Sequence, residues 1–129
     1  MTSLMCRRTS SRTDCRSGDY MDLWNELEDK RKQLIDAVKA LARYGKEYAK
    51  AERDYKVLLR KEALKLRDDG YAVGMITLTV YGLEEVADAR QARDIAEAMY
   101  KTAQELINSV KLEMRIIESQ LDREWSIRE

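Results

Sequence analysis

The feature that most constrains this chain is a 3-4 spacing of apolar residues, which recurs over two long segments of a sequence without proline. Residues at this spacing share one side of an α-helix, so each segment predicts a long helix with one apolar seam. With five glycines and 37% charged residues, the 129-residue chain also has the composition of long helices rather than of sheets. The sequence therefore predicts an all-α fold.

The two seams place the long helices at about Asp19 to Arg67 and about Leu83 to Ile127. The first seam consists of Trp24, Leu27, Arg31, Leu34, Val38, Leu41, Gly45, Tyr48, Glu52, Tyr55, Leu59, Glu62 and Leu66. The second seam is more regular and consists of Ala89, Arg93, Ala96, Tyr100, Ala103, Ile107, Val110, Met114, Ile117 and Leu121. Helices of similar length with a short connector predict an antiparallel, coiled-coil-like hairpin. Apolar residues flank both seams, so we expect two hairpins to dimerise into a four-helix bundle.

The charged interruptions of the two seams suggest a register for the hairpin. Setting Tyr55 opposite Tyr100 also pairs Glu62 with Arg93. The same register sets Val38 against Ile117, Leu34 against Leu121 and Arg31 against Glu124. Buried charge pairs of this kind mark a register rather than add net stability, because desolvation offsets much of their attraction.

The connector between the long helices begins at a helix stop formed by Asp68, Asp69 and Gly70. It ends at Gly82, after which carboxylates start the next helix at its positive end. The intervening segment, Tyr71 to Tyr81, is apolar nearly throughout. We predict a short helix there, because a lone strand has no partner in this chain for its backbone groups. A strand exchanged with a second copy is the alternative.

The first nineteen residues differ from the rest, being rich in Ser, Thr and Arg, and they contain both cysteines, Cys6 and Cys15. We predict a disordered tail over 1–19 and a helical domain over 20–129. Without a signal-peptide core or an apolar run near the roughly 18 residues of a membrane span, we expect a cytoplasmic protein with reduced thiols and no membrane partner. Met21 stands where the helical pattern begins, so an upstream start codon is a second interpretation of the tail.

Two surfaces are candidates for partner binding. The outward positions of the first helix form a basic stripe. It consists of Lys39, Arg43, Lys46, Lys50, Arg53, Arg60 and Arg67. One interpretation is that the basic stripe contacts the phosphate groups of nucleic acid. We favour the alternative, in which the stripe is a solvated face or packs on the acidic helix of another copy. Apolar residues near the connector form a second surface, the tip surface, which we prefer as the interaction site. It consists of Val57, Leu64, Tyr71, Val73, Met75, Ile76, Leu78 and Tyr81.

Catalytic chemistry finds no support in the sequence. There is no histidine, no nucleophile with an adjacent base, no carboxylate pair in an apolar cleft and no glycine-rich phosphate loop. Two cysteines without histidine supply at most two zinc ligands of that type. We therefore expect no catalytic residues, no metal, no cofactor and no enzymatic activity.

Across Met21 to Trp125 the chain resembles small uncharacterised helical proteins encoded by phages and prophages of Gram-positive bacteria. The residues that carry this resemblance are Arg67, Gly70, Gly82, Glu85, Val86, Ala87, Arg90, Asp94, Ile95, Ala96, Glu97, Tyr100, Ile107, Asn108, Lys111, Arg115, Glu118, Gln120, Glu124 and Trp125. The resemblance implies an all-helical fold and a viral setting in the bacterial cytoplasm, and it transfers no activity.

Together these patterns lead us to expect a phage accessory protein that binds itself and a host or phage protein, as an adaptor or an inhibitor. A nucleic-acid-binding factor in phage replication or recombination is the alternative. The sequence leaves open the identity of the partner, the number of chains in the assembly and a role as a component of the virion.

Overall fold

A computed structural model describes residues 12–128, with side chains described over 20–127. Three helices lie in this range: α1 (Arg12–Asp68), α2 (Val73–Gly82) and α3 (Glu84–Arg128). The described range contains no strand, so the all-α prediction is confirmed and the strand alternative for the connector is wrong. The predicted disordered tail, 1–19, and both cysteines fall outside the residues whose side chains are described. The predicted start of the first long helix, about Asp19, is wrong by seven residues, because α1 begins at Arg12.

The helix stop after α1 is a Schellman motif, in which backbone N–H groups beyond the helix bond to its last carbonyls. The Tyr71 N–H donates to the Leu66 carbonyl and the Gly70 N–H to the Arg67 carbonyl, both at 3.1 Å. Gly70 has a φ of +89°, which a residue without Cβ adopts without strain. The end of α1 therefore lies one residue from its predicted place.

A single residue, Leu83, separates α2 from α3. Its N–H donates to the Val80 carbonyl at 3.3 Å, and its carbonyl accepts the Ala87 N–H at 2.8 Å. Glu84 and Glu85 occupy the first turn of α3, where carboxylates interact favourably with the positive end of the helix. The predicted start of the second long helix is thus correct to one residue.

The chain divides into two compact units, which we describe separately. The connector unit is Val38–Glu105, and it includes all of α2. The terminal unit comprises Met1–Ala37 and Leu106–Glu129.

In the connector unit all three helices contribute to one core. Its buried residues are Tyr55 and Leu66 from α1, Val80 from α2 and Val86 from α3. Leu58, Leu59, Ala63, Ile76, Leu83 and Ala89 pack against them. Val86, near the start of α3, is fully buried. A helix of ten residues is marginal by itself, so this packing rather than helix propensity holds α2 in place.

The predicted register is wrong in the connector unit by one heptad. Tyr100 faces Tyr48, with ring centroids 6.1 Å apart, rather than Tyr55. The Tyr100 ring also lies against Gly45, where an added Cβ would be only 3.3 Å from Tyr100 Cε2. Gly45, which looked like an interruption of the seam, therefore provides the space that accepts this ring.

The charge pair predicted between Glu62 and Arg93 is not formed. The Arg93 guanidinium lies 4.6 Å from the centroid of the Tyr55 ring and donates hydrogen bonds of 3.1 and 2.9 Å to Asp94. These hydrogen bonds raise the pKa of Arg93 above its usual value. Glu62 instead accepts a hydrogen bond of 3.1 Å from Lys65. At the seam the Arg93 guanidinium thus contacts the Tyr55 ring and the Asp94 carboxylate rather than Glu62.

In the terminal unit a smaller core joins α1 and α3. Leu27, Ile117 and Leu121 are buried there, and Tyr20, Leu23 and Met114 pack against them. An ion pair between Lys30 and Glu113 lies in the same unit.

The pairs predicted for this part of the chain are wrong as well. Leu27, rather than Leu34, packs in the cluster with Leu121, again one heptad from the predicted register. Arg31 pairs with Glu28 at 3.1 Å rather than with Glu124. Val38, expected at the seam against Ile117, is 51% exposed, whereas the neighbouring Ala37 is buried. All ten residues of the second seam are buried or half-buried, so the prediction for α3 is confirmed.

Candidate interaction surfaces

The short helix α2 is apolar on every side, yet only one side of it is covered. Val80 is buried and Ile76 is half-buried against the core of the connector unit. Leu78 lies on the opposite side and is 74% exposed, and Val73, in the first turn of the helix, is 84% exposed. An apolar helix normally buries its whole circumference, so α2 presents more apolar surface than its own unit covers.

Most of the predicted tip surface is exposed. Val57 and Leu64 of α1 and Tyr71, Val73, Met75, Leu78 and Tyr81 of the connector are all exposed large apolar residues. Ile76 is the exception, because it faces the core. The sequence left open whether the connector covers Val57 and Leu64, and the structure leaves both side chains exposed.

A cleft of about 440 Å³ adjoins this surface on the α3 side. Its lining consists of Tyr81, Ala87, Arg90, Gln91, Asp94, Ile95 and Ala98. Tyr81 belongs to the tip surface, so the exposed apolar area continues into a concave region with charged and amide groups. Sequence reasoning missed this cleft, since only the packing of α2 brings Tyr81 beside α3.

The seven residues of the basic stripe are all exposed. Two of them have partners on the same helix: Arg53 pairs with Asp54 at 3.0 Å, and the Arg43 guanidinium lies 5.0 Å from the centroid of the Tyr44 ring. The other five are Lys39, Lys46, Lys50, Arg60 and Arg67, and they have no ion-pair partner among the described residues.

Both tryptophans of the chain line one cleft in the terminal unit, and the sequence pattern did not predict this cleft. The cleft has a volume of about 320 Å³ and is lined by Tyr20, Trp24, Leu27, Glu118, Leu121, Asp122 and Trp125. The Tyr20 and Trp125 rings are tilted at 38° with centroids 6.3 Å apart. We call this site the aromatic cleft. The only signal in the sequence was that Tyr20 and Trp24 lie near the start of the first apolar seam and that Trp125 follows the second.

Among residues whose side chains are described, no group of three or more Cys, Asp or Glu residues could hold a metal ion. None of the helices in the described range is both long and apolar enough to cross a membrane. Comparison of the chain with protein family models, with curated proteins and with solved structures found no match.

Proposed function

We propose that this chain is a non-enzymatic protein-binding module, which captures a partner protein through the tip surface. The observation that carries the proposal is α2, a helix with apolar side chains on all sides of which Val80 alone is buried. Exposed contiguous apolar surface is unfavourable in water and commonly marks a protein interface. The adjoining cleft beside Tyr81 supplies the concave surface and polar groups that make such an interface specific.

The proposal includes self-association. Large apolar residues flank the seams of both long helices and remain exposed, among them Ile35 on α1 and Ile95, Met99 and Leu106 on α3. We propose that α1 and α3 form one antiparallel hairpin and that a second copy covers these flanks in a four-helix bundle. The resemblance to phage-encoded proteins adds the setting: an accessory protein in the cytoplasm of a bacterial host, acting as an adaptor or an inhibitor.

Affinity capture from a host lysate tests the tip surface. We expect the unmodified chain to retain a discrete protein that survives nuclease treatment. Val73→Glu with Leu78→Glu should reduce its capture about tenfold or more, because charge at an apolar contact is left without a partner. Gln104→Glu with Asn108→Glu is the matched control, since it adds the same charge at two exposed residues of α3 outside the tip surface and the adjoining cleft. Equal capture by all three chains would show that the tip surface is not the interface.

Light scattering tests self-association. We expect the mass of two chains, and the mass of one chain when Ile95 and Met99 are both changed to lysine. Gln104→Lys changes an exposed polar residue of the same helix and should leave the dimer intact. A single-chain mass for the unmodified protein would contradict the four-helix bundle and leave the tip surface untouched as a proposal.

The basic stripe supports nucleic-acid binding as a second function, because five of its cations have no ion pair among the described residues. We expect DNA retention at low salt that falls steeply as salt rises. Reversing the charges of Lys46, Lys50 and Arg53 should abolish it. Reversing Lys32, Lys111 and Arg115, which are exposed residues outside the stripe, should have a smaller effect. No retention by the unmodified chain at low salt would exclude this function.

A further inference from the structure

The aromatic cleft combines two features that rarely occur together in a chain with so few aromatic residues. The first is a set of large aromatic faces: Trp24 and Trp125 are 47% and 55% exposed, and they flank the cleft with Tyr20. The second is negative charge, because Glu118 and Asp122 line the same cleft from successive turns of α3. A cation is attracted both by aromatic faces and by carboxylates.

No cation of the described part of the chain already satisfies these carboxylates. Neither Glu118 nor Asp122 forms an ion pair with a described residue. The nearest arginine in sequence, Arg123, instead donates a hydrogen bond of 3.4 Å to the Ser119 carbonyl oxygen. Below the aromatic rings, Leu27 and Leu121 close the floor of the cleft and are buried. The cleft therefore has an apolar floor, aromatic walls and unpaired negative charge at its rim.

We propose that the aromatic cleft binds an arginine side chain presented by a basic segment of a partner protein. Arginine suits the site better than lysine, since its planar guanidinium stacks on an aromatic ring while its N–H groups pair with a carboxylate. The cleft is open on one side, which admits a side chain attached to a polypeptide. Nucleic acid is disfavoured there, because the two carboxylates repel phosphate. This proposal concerns the terminal unit and does not depend on the tip surface.

Intrinsic fluorescence reports on this site alone, because Trp24 and Trp125 are the only tryptophans in the chain. The probe is the acetylated and amidated peptide Gly-Arg-Gly-Arg-Gly, titrated at low salt. We expect a saturable change in tryptophan emission. A peptide with citrulline in place of arginine, which keeps the shape and removes the charge, should bind roughly tenfold more weakly. The lysine peptide should also bind more weakly than the arginine peptide.

Carboxylate variants locate the binding. Glu118→Gln with Asp122→Asn should weaken the binding of the arginine peptide roughly tenfold. The matched control is Glu26→Gln with Asp29→Asn, which changes the net charge equally within the terminal unit at exposed residues outside the cleft. That control should bind within about twofold of the unmodified chain, because exposed charges away from the cleft are largely screened.

Three results would overturn the proposal. The first is no saturable change, or equal binding of the citrulline peptide. The second is an equal loss of affinity for the arginine peptide in the control variant with Glu26→Gln and Asp29→Asn, which would show that the effect comes from the overall charge. The third is binding of tetramethylammonium as tight as that of the arginine peptide, which would assign the cleft to a small quaternary ammonium ligand.

The side chains of the chain's own Arg7, Arg8, Arg12, Arg16 and Arg128 lie outside the described ones, so these arginines are the remaining candidate occupants. Changing all five to glutamine should leave the emission without peptide, and the binding of the peptide, unaltered. A shift in that emission together with tighter peptide binding would show that the chain fills its own cleft, and it would exclude a partner protein as the occupant.

Discussion

The connector unit and the terminal unit use the same two long helices in different ways. In the connector unit, α2 adds a third element, and the core that results encloses Val86 completely. In the terminal unit only α1 and α3 contribute: Leu27, Ile117 and Leu121 form its core cluster, and Ala37, Ile107 and Val110 are also buried. Two packed helices bury one stripe each, whereas a third helix covers the flank of that stripe.

This difference explains where the apolar surface of each unit remains. In the terminal unit the uncovered flank contains Trp24 and Trp125, whose rings form the walls of the aromatic cleft. In the connector unit the two most exposed large apolar side chains, Val73 and Leu78, belong to the added helix α2. The same shortage of covering elements thus leaves aromatic side chains exposed around a cleft in the terminal unit, and an apolar helix exposed beside the Tyr81 cleft in the connector unit.

The largest effect that tests this comparison is expected from two matched leucine truncations. Leu66→Ala should lower the free energy of unfolding by about 3 kcal/mol, because neighbours held by three helices cannot collapse into the cavity. Leu27→Ala should lower it by about 2 kcal/mol, since the facing helix can close toward the truncated side chain. Urea unfolding followed by circular dichroism measures both.

Leu112→Ala is the control for these truncations, because Leu112 is 58% exposed. It should change the free energy of unfolding by less than about 0.5 kcal/mol. If Leu27→Ala lowered the free energy of unfolding more than Leu66→Ala does, it would contradict the view that α2 makes the core of the connector unit the more rigid of the two cores.

The end of α1 and the start of α3 were predictable from the sequence because they depend on local chemistry. Gly70 permits a positive φ, and the carboxylates of Glu84 and Glu85 suit a helix start wherever the rest of the chain lies. The regular seam of α3 was equally predictable. Each of these features is decided by residues within a few positions of one another.

The register was not predictable, because a shift by one heptad places seam positions opposite seam positions again. The charge pairs that favoured the predicted register do not form. The observed register is consistent with steric fit at one residue, since Gly45 provides the space for the Tyr100 ring. The aromatic cleft was missed for the same reason: its walls come from both ends of the pattern, and only the correct register brings Trp24 and Trp125 together.

A smaller effect is expected at the turn that leads into α2. Gly70→Ala should destabilise the protein by about 1 kcal/mol, because an L-residue at a φ of +89° is strained. No other atom lies within 4 Å of the added Cβ, so the cost is purely conformational. Thermal or urea unfolding measures the change.

Gly74→Ala is the matched control for that turn. Gly74 lies within α2, where an added Cβ also meets nothing within 4 Å. Alanine should therefore stabilise the protein by up to about 1 kcal/mol, through reduced entropy of the unfolded chain. Destabilisation by Gly70→Ala together with stabilisation by Gly74→Ala would show that the left-handed turn before α2 requires glycine. Destabilisation by both variants would indicate that α2 tolerates no added volume.

The smallest effect concerns the ion pair between Lys30 and Glu113, which joins α1 and α3 in the terminal unit. Both groups are partly exposed, so a double-mutant cycle with Lys30→Gln and Glu113→Gln should give a coupling of about 0.5 kcal/mol. The coupling should fall toward zero in about 1 M salt, where the screening length is only about 3 Å. A second cycle with Arg31→Gln and Glu124→Gln should give no coupling. The reverse result, with Arg31 coupled to Glu124 alone, would restore the register that the sequence predicted and separate Trp24 from Trp125.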